Sequence, residues 1–324
     1  MSREPVKLLF GAWPVGNEEP LISREGLEKV ISSLKKFGIH EIDTAHTYGN
    51  SEQRLREIKA GDHFSIDTKW AGGVAVPGSL QRDNMIASAK DSIRKLGVKN
   101  VDIFYIHTPD AGQPFEDVCA TVNEVHQMGL FKRFGLSNYY VEDVQKMHDI
   151  CKKNSYVLPS VYQGNYSAVA RKAETELFPT LRRNNISFYA YGPFAGGFLT
   201  KTRRQIEENR HGRFSQEVLG GMYLRLYGKP SYLEALDRWG QIAKEEGCSQ
   251  AELACRWVAY DSPLSKELGD GMLIGASKPS QLDQTLEGLA RGPLSDKAVK
   301  GIDGIWESVK DDAPLNIIEE YMNK

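Results

Sequence analysis

The 324-residue sequence has little cysteine, no long apolar run and almost no net charge. Its four cysteines, Cys119, Cys151, Cys248 and Cys255, lack Cys-x-x-Cys or Cys/His spacing of the zinc kind, so neither a metal centre nor a disulfide scaffold is expected. Buried free thiols are the plain reading. No stretch approaches the roughly 18 consecutive apolar residues of a membrane span, and the N-terminal residues 1–14 hold no apolar segment of the secretory kind. A cytoplasmic protein is expected. A formal charge of −2 and a pI near 6.4 argue against nucleic acid or anionic membranes as partners. Also missing is the Gly-x-Gly-x-x-Gly turn of an open dinucleotide-binding sheet, because Gly11 and Gly16 have the wrong spacing. No low-complexity tract or linker divides the chain.

What is present is an alternation of strand and helix patterns. Strands are expected at 7–13, 39–44, 64–70, 101–107, 131–138, 159–166, 187–193 and 271–277. Between them lie helical periodicities, such as Leu27, Val30, Ile31 and Leu34 after Ser23, with stops at Gly38, Gly97 and Gly129. A short helix capped by Ser51 is expected after the second strand, and single helices over 173–183 and 249–260. The seventh strand is followed by a glycine-broken, base-rich stretch at about 196–231, of the length and kind that forms lids. Eight such units predict a (β/α)8 TIM barrel in a single domain over 1–324, with chemistry at the carboxyl ends of the strands.

The strand ends carry the chemistry. Asp43 closes the second strand, Tyr48 follows it in the turn ending at Gly49, Lys69 closes the third and His107 the fourth. In parallel successive strands these four side chains share one mouth. A free tyrosine, with a pKa of about 10, is a weak acid at neutral pH and needs help as a proton donor. A lysine about 4 Å away contributes up to roughly 4 kcal/mol at an effective dielectric near 20, enough to lower that pKa. Lys69 is the candidate for this, Asp43 its counter-ion, and His107 a donor to a carbonyl oxygen. Taken singly, each has a plainer explanation as a turn former, a rim aromatic, a surface charge or a satisfied polar residue. Their convergence favours chemistry. Further round the rim, Ser137, Asn138 and Gln163 offer hydrogen bonds to an amide and Tyr191 a face for a planar ring. Gly275, Ser277 and Lys278 precede a helix, a suitable place for a phosphate.

These residues resemble those of the aldo-keto reductases over nearly the whole chain. Asp43-Thr44-Ala45-x-x-Tyr48-Gly49, Thr68-Lys69, Ile106-His107-x-Pro109-Asp110, Gly135-Leu136-Ser137-Asn138 and Gln163-x-Asn165-Tyr166 match in order and spacing. Glu174-x-Glu176-Leu177-Phe178-Pro179 and the run from Tyr189 to Thr200 are similar to the aflatoxin-aldehyde, or succinic-semialdehyde, reductase subfamily. The resemblance implies NADPH as cofactor and hydride transfer to an aldehyde or ketone. It assigns Tyr48 as proton donor, Lys69 as the group tuning it, Asp43 as partner of Lys69 and His107 as carbonyl orienter. It further implies that Ser137, Asn138 and Gln163 hold the nicotinamide carboxamide, that Tyr191 stacks on the ring, and that Gly275, Ser277, Lys278, Gln281 and Gln284 surround the 2′-phosphate. No metal is implied, and the chain is expected to be a monomer or homodimer.

The pattern has departures. Thr285 stands where the family usually places asparagine beside the adenine, His46 sits beside the tyrosine, and residues 315–324 contain no arginine for an acidic substrate. Substrate contacts are therefore assigned to His46, Arg213 and Arg225, the two arginines lying in the base-rich stretch. The same barrel also serves as a cofactor-sensing regulatory subunit of the potassium-channel β kind, the alternative reading. A Schiff-base role for Lys69 is disfavoured because Asp43 would keep the amine charged.

Overall fold

In the computed structural model, which describes residues 4–208, 214–215 and 221–318, strand formation follows side-chain alternation. The strands are β1 (Lys7–Gly11), β2 (Glu41–Asp43), β3 (Ser65–Trp70), β4 (Val101–Ile106), β5 (Phe131–Ser137), β6 (Pro159–Asn165), β7 (Ser187–Tyr191) and β8 (Gly271–Ile274). Phe10, Ile42, Ile66, Phe104, Phe134, Tyr162, Phe188 and Ile274 join one large apolar cluster. Leu9, Ile103, Tyr105, Val161, Tyr189 and Leu273 form a second. A closed sheet has these two faces, one covered by helices and one filling the barrel axis. Neighbouring strands pair in parallel in chain order, and β8 closes on β1 through Leu8 opposite Met272 and Leu9 opposite Leu273. The protein is the single-domain (β/α)8 barrel that the alternation predicts.

Helices α1 (Arg24–Lys36), α2 (Ser51–Glu57), α3 (Arg82–Leu96), α4 (Phe115–Gln127) and α5 (Val141–Lys153) cover the first five strands. Ser23 caps α1 by accepting from the Gly26 N–H at 3.1 Å, and Leu27, Val30 and Leu34 form its buried stripe. Then come α6 (Ala173–Glu176), α7 (Phe178–Arg183), α8 (Arg203–Glu207), α9 (Met222–Tyr227), α10 (Pro230–Glu246), α11 (Gln250–Arg256), α12 (Pro279–Leu289) and α13 (Asp296–Val309). Among the described residues no helix is long and apolar enough to cross a membrane, and no His/Cys/Asp/Glu group could hold a metal ion.

Three local expectations change. Ser51 does not cap α2: the cap position is Asn50, and the Ser51 hydroxyl instead donates to Ala12 O and accepts from Thr44 Oγ1, tying the end of β1 to the end of β2. The helix expected over 173–183 is two, because Pro179 has no N–H to continue the first and begins the second. The helix expected over 249–260 ends at Arg256 and widens into a π-helical turn over Trp257–Asp261. The lid-like stretch at 196–231 contains the turn Ala195–Thr200, α8 and α9, while 209–213 and 216–220 lie outside the described residues.

Inside the barrel, Asp67 is fully buried in β3, in register with Asp43 of β2. Its Oδ1 accepts from the Ile103 N–H at 3.0 Å. Burial lifts its carboxyl well above the ordinary range, and the charges of Asp43, Glu41 and Asp102 lift it further. In the unfolded chain the same carboxyl ionises near about 3.9. The native state holds the proton more tightly, so the stability Asp67 contributes at low pH is lost as pH rises through the interval between the two values. Asp67→Asn keeps the acceptor for Ile103 and cannot ionise. It is expected to melt at a higher temperature than the natural protein at pH 8 in calorimetry, with the gap closing towards pH 4; a lower melting temperature at pH 8 would refute the neutral acid.

Candidate active site

The carboxyl ends of β2 and β3 bring Asp43 and Lys69 together with almost no exposure. Lys69 Nζ donates to Asp43 Oδ1 at 2.6 Å, to Asp43 Oδ2 at 2.5 Å and to Thr44 O at 2.8 Å. Three acceptors need three N–H groups, which only the ammonium form has. Gln163 Nε2 of β6 donates to Asp43 Oδ1 at 2.9 Å. Burial raises the Asp43 carboxyl above its usual value, while Lys69 and then Gln163 work against that rise. The ammonium lies between two rings, 5.2 Å from the Tyr48 centroid and 5.4 Å from that of Tyr105.

Tyr48 is set by a tight turn after β2: its N–H donates to Ala45 O, and its carbonyl accepts from Ser51 N, each at 3.0 Å. The neighbouring loop depends on Gly16, where a Cβ would lie 2.0 Å from Tyr48 O. Burial raises the Tyr48 phenol above its ordinary pKa, and the charges of Asp43 and Tyr223 add to the rise. This reverses the lowering expected from Lys69. The lysine's three N–H bonds are spent on Asp43 and Thr44, and the adjacent carboxylate offsets its field, so the phenol keeps its proton.

His107 follows β4 directly, its N–H held by Trp70 O at 3.1 Å. Its ring meets that of Tyr48 edge to face, with centroids 5.6 Å apart. Burial, then the charge of Lys69, push its pKa down to about 3, so the imidazole is neutral. Thr47 Oγ1 lies 3.4 Å from Nδ1. In the tautomer where Nδ1 accepts from that hydroxyl, Nε2 carries the hydrogen and can donate it.

A second cluster adjoins this one. Asn138, at φ 61°, donates from Nδ2 to His107 O at 2.9 Å and to Ser137 Oγ at 3.1 Å, and its Oδ1 accepts from Tyr191 OH at 2.8 Å. Both of its N–H groups are thus committed. Among the described residues, the partners left free for a carboxamide are the Ser137 hydroxyl hydrogen, Gln163 Oε1 and the remaining lone pair of Asn138 Oδ1. That set fits an amide that both donates and accepts, with the half-buried Tyr191 ring beside it.

At the other side of the mouth, Gly275 lies beside Gly11 and is exposed, as are Lys278 at the cap position of α12, Gln281 and Gln284. Ser277 Oγ donates to Gln281 Oε1 at 3.0 Å and does not cap the helix. An exposed lysine at the start of an 11-residue helix suits a phosphate. The residues expected to contact substrate fare differently. His46 Nδ1 faces Glu52 and Ser92, in the layer between α2 and α3. Arg225 is exposed on α9, whose buried side chains are Met222, Leu226 and Tyr227. Arg213 lies outside the described residues.

Sequence reasoning missed three neighbours. Thr47 sat within the motif but was assigned nothing. Tyr223 of α9 packs its ring on Gly196 and raises the phenols of both Tyr48 and Tyr191. Asn316, beyond α13, donates to Asn138 O at 3.0 Å. None of the three stands at a strand end, where most of the candidate residues lie.

A model of the aldo/keto reductase family matches residues 7–307. The chain is 37% identical to "Oxidoreductase sirO" of Leptosphaeria maculans over 318 residues, 95% of each chain. It is 34% identical to "Aldo-keto reductase family 7 member A3" of Homo sapiens over 331 residues, 97% of this chain and 98% of that one. To "Aflatoxin B1 aldehyde reductase member 2" of Rattus norvegicus it is 34% identical over 301 residues, 88% of this chain and 81% of that one. With a barrel whose mouth joins a phenol, an imidazole and a buried lysine–aspartate pair, and with relatives matched along nearly their full length, the chain belongs to the aldo/keto reductase family.

Proposed function

We propose that, within the oxidoreductase class its family sets, this protein is an NADPH-dependent reductase that converts an aldehyde or ketone to an alcohol, with Tyr48 as proton donor. The observation that carries the reading is geometric: the Tyr48 ring meets the His107 imidazole edge to face at 5.6 Å and lies 5.2 Å from the ammonium of the buried Asp43–Lys69 pair. The residues at hand suit NADPH: Ser137, Gln163 and Asn138 present amide partners beside Tyr191, and Lys278 is a cation at a helix start. When bound, NADPH supplies the hydride.

The chain's own residues supply the rest. His107 Nε2–H donates to the substrate carbonyl oxygen and fixes it near the Tyr48 hydroxyl. As hydride reaches the carbon, negative charge builds on that oxygen. An alkoxide is a stronger base than a phenolate, so even a phenol of raised pKa gives up its proton at that stage. Lys69, whose ammonium lies 5.2 Å from the Tyr48 ring centroid, holds that ring as a cation–π partner, and Asp43 with Gln163 keeps the lysine in place. Relatives named as aflatoxin aldehyde reductases favour aldehydes, dialdehydes and semialdehydes as the first substrates to try.

Tyr48→Phe is expected to lower kcat by about 100-fold or more and to leave NADPH affinity nearly unchanged, measured by NADPH oxidation and fluorescence titration. Loss of cofactor binding in a folded variant would count against the proton-donor role, and tight NADPH binding by the natural protein without turnover of any carbonyl would favour a sensing role. His107 is expected to stay neutral between about pH 5 and 8, seen as unchanged imidazole nitrogen shifts in NMR. An ionisation within that range that disappears in His107→Gln would overturn the assignment.

A further inference from the structure

Asn138 is the hub between the proton-donating residues and the amide-binding residues, and its backbone is unusual. At φ 61° it occupies the left-handed region, which asparagine tolerates but which needs support from its surroundings. From that conformation its side chain reaches the His107 carbonyl, Ser137 Oγ and the Tyr191 hydroxyl at once. Its carbonyl oxygen turns the other way and accepts from Asn316 Nδ2 at 3.0 Å.

Asn316 is buried, and its amide orientation is fixed in turn: Ile318 N–H donates to Asn316 Oδ1 at 3.0 Å, which leaves Nδ2 aimed at Asn138. Leu315 and Ile317 on either side pack against the main apolar cluster, and Ala313 is buried before them. The segment after α13 is thus anchored by apolar side chains and, among the described residues, makes one side-chain hydrogen bond to the rim, at the residue on which the amide-binding cluster turns.

We propose that Asn316 is a positioning residue for the nicotinamide end of the cofactor. It acts through Asn138: by holding the Asn138 carbonyl it keeps the left-handed backbone from relaxing, and so keeps Tyr191 and Ser137 where the carboxamide and ring need them. Its influence stops at that end, because Gly275, Ser277 and Lys278 lie in the connection between β8 and α12 and, among the described residues, share no hydrogen bond with it. The inference rests on the NADPH reading given above, and the test separates the two.

The unsubstituted protein, Asn316→Ala and Asn316→Asp are titrated with NADPH and with adenosine 2′,5′-bisphosphate, which carries the 2′-phosphate end and no nicotinamide; melting temperatures are recorded alongside. Asn316→Asp keeps the acceptor for Ile318 N–H and lacks the donor to Asn138, so both variants are expected to share one defect. NADPH binding weakens about tenfold, as for loss of a buried hydrogen bond, adenosine 2′,5′-bisphosphate binds as before, and the melting temperature stays near that of the natural protein. NADPH affinity equal to that of the natural protein in Asn316→Asp overturns the proposal. So does equal weakening of both ligands with a lowered melting temperature, the mark of a merely structural residue. If the natural protein itself binds neither ligand, the cofactor reading fails first and this inference with it.

Discussion

One ion pair organises the mouth of this barrel. A lysine with no exposure is costly to desolvate, and it persists only because every hydrogen on its ammonium has an acceptor: two on Asp43 and one on Thr44. That requirement fixes the end of β2 against β3, and Gln163 brings β6 to the same carboxylate. The pair also acts on its neighbours. Burial raises the Tyr48 phenol and the charge of Asp43 adds to it, while burial and then the charge of Lys69 disfavour a charged His107. A neutral imidazole beside a protonated phenol follows from burial first and from the pair second.

The barrel divides its labour along its axis. Near the strand starts, Lys7 pairs with Glu41, Arg133 with Asp102 and Arg182 with Asp270, contacts that tie elements together. At the strand ends the polar groups form the two adjoining clusters and keep free valences: the Ser137 hydroxyl, Gln163 Oε1 and the outward nitrogen of His107. The first set reads as scaffold and the second as site.

Much of this was legible in the sequence because strand alternation and strand-end chemistry are local. Asp43, Lys69 and His107 stand at or beside the ends of β2, β3 and β4, and counting along the chain places them together. The rest depends on groups distant in sequence. Ser51 has the residue type of a cap, yet its hydroxyl accepts from Thr44 Oγ1 and donates to Ala12 O, partners that come from other segments. The direction of the Tyr48 pKa turns on how deeply the phenol is buried, which spacing along the chain does not encode. His46 sits two residues from Tyr48, but the chain turns its Nδ1 to the helix layer, where Glu52 and Ser92 meet it. Asn316 is 178 residues from its partner in a tail otherwise notable for what it lacks.

The contact between Gly16 and the Tyr48 carbonyl has a bearing on how such a protein can be redesigned. The loops after β1 and β2 meet backbone to backbone there, with Ser51 bonded across them and no room for a Cβ. They form one structural module: transplanting either loop alone from a relative would present a foreign backbone to the carbonyl that sets the phenol's position. Chimaeras meant to exchange substrate range are better cut before β1 and after α2, so that both loops travel together.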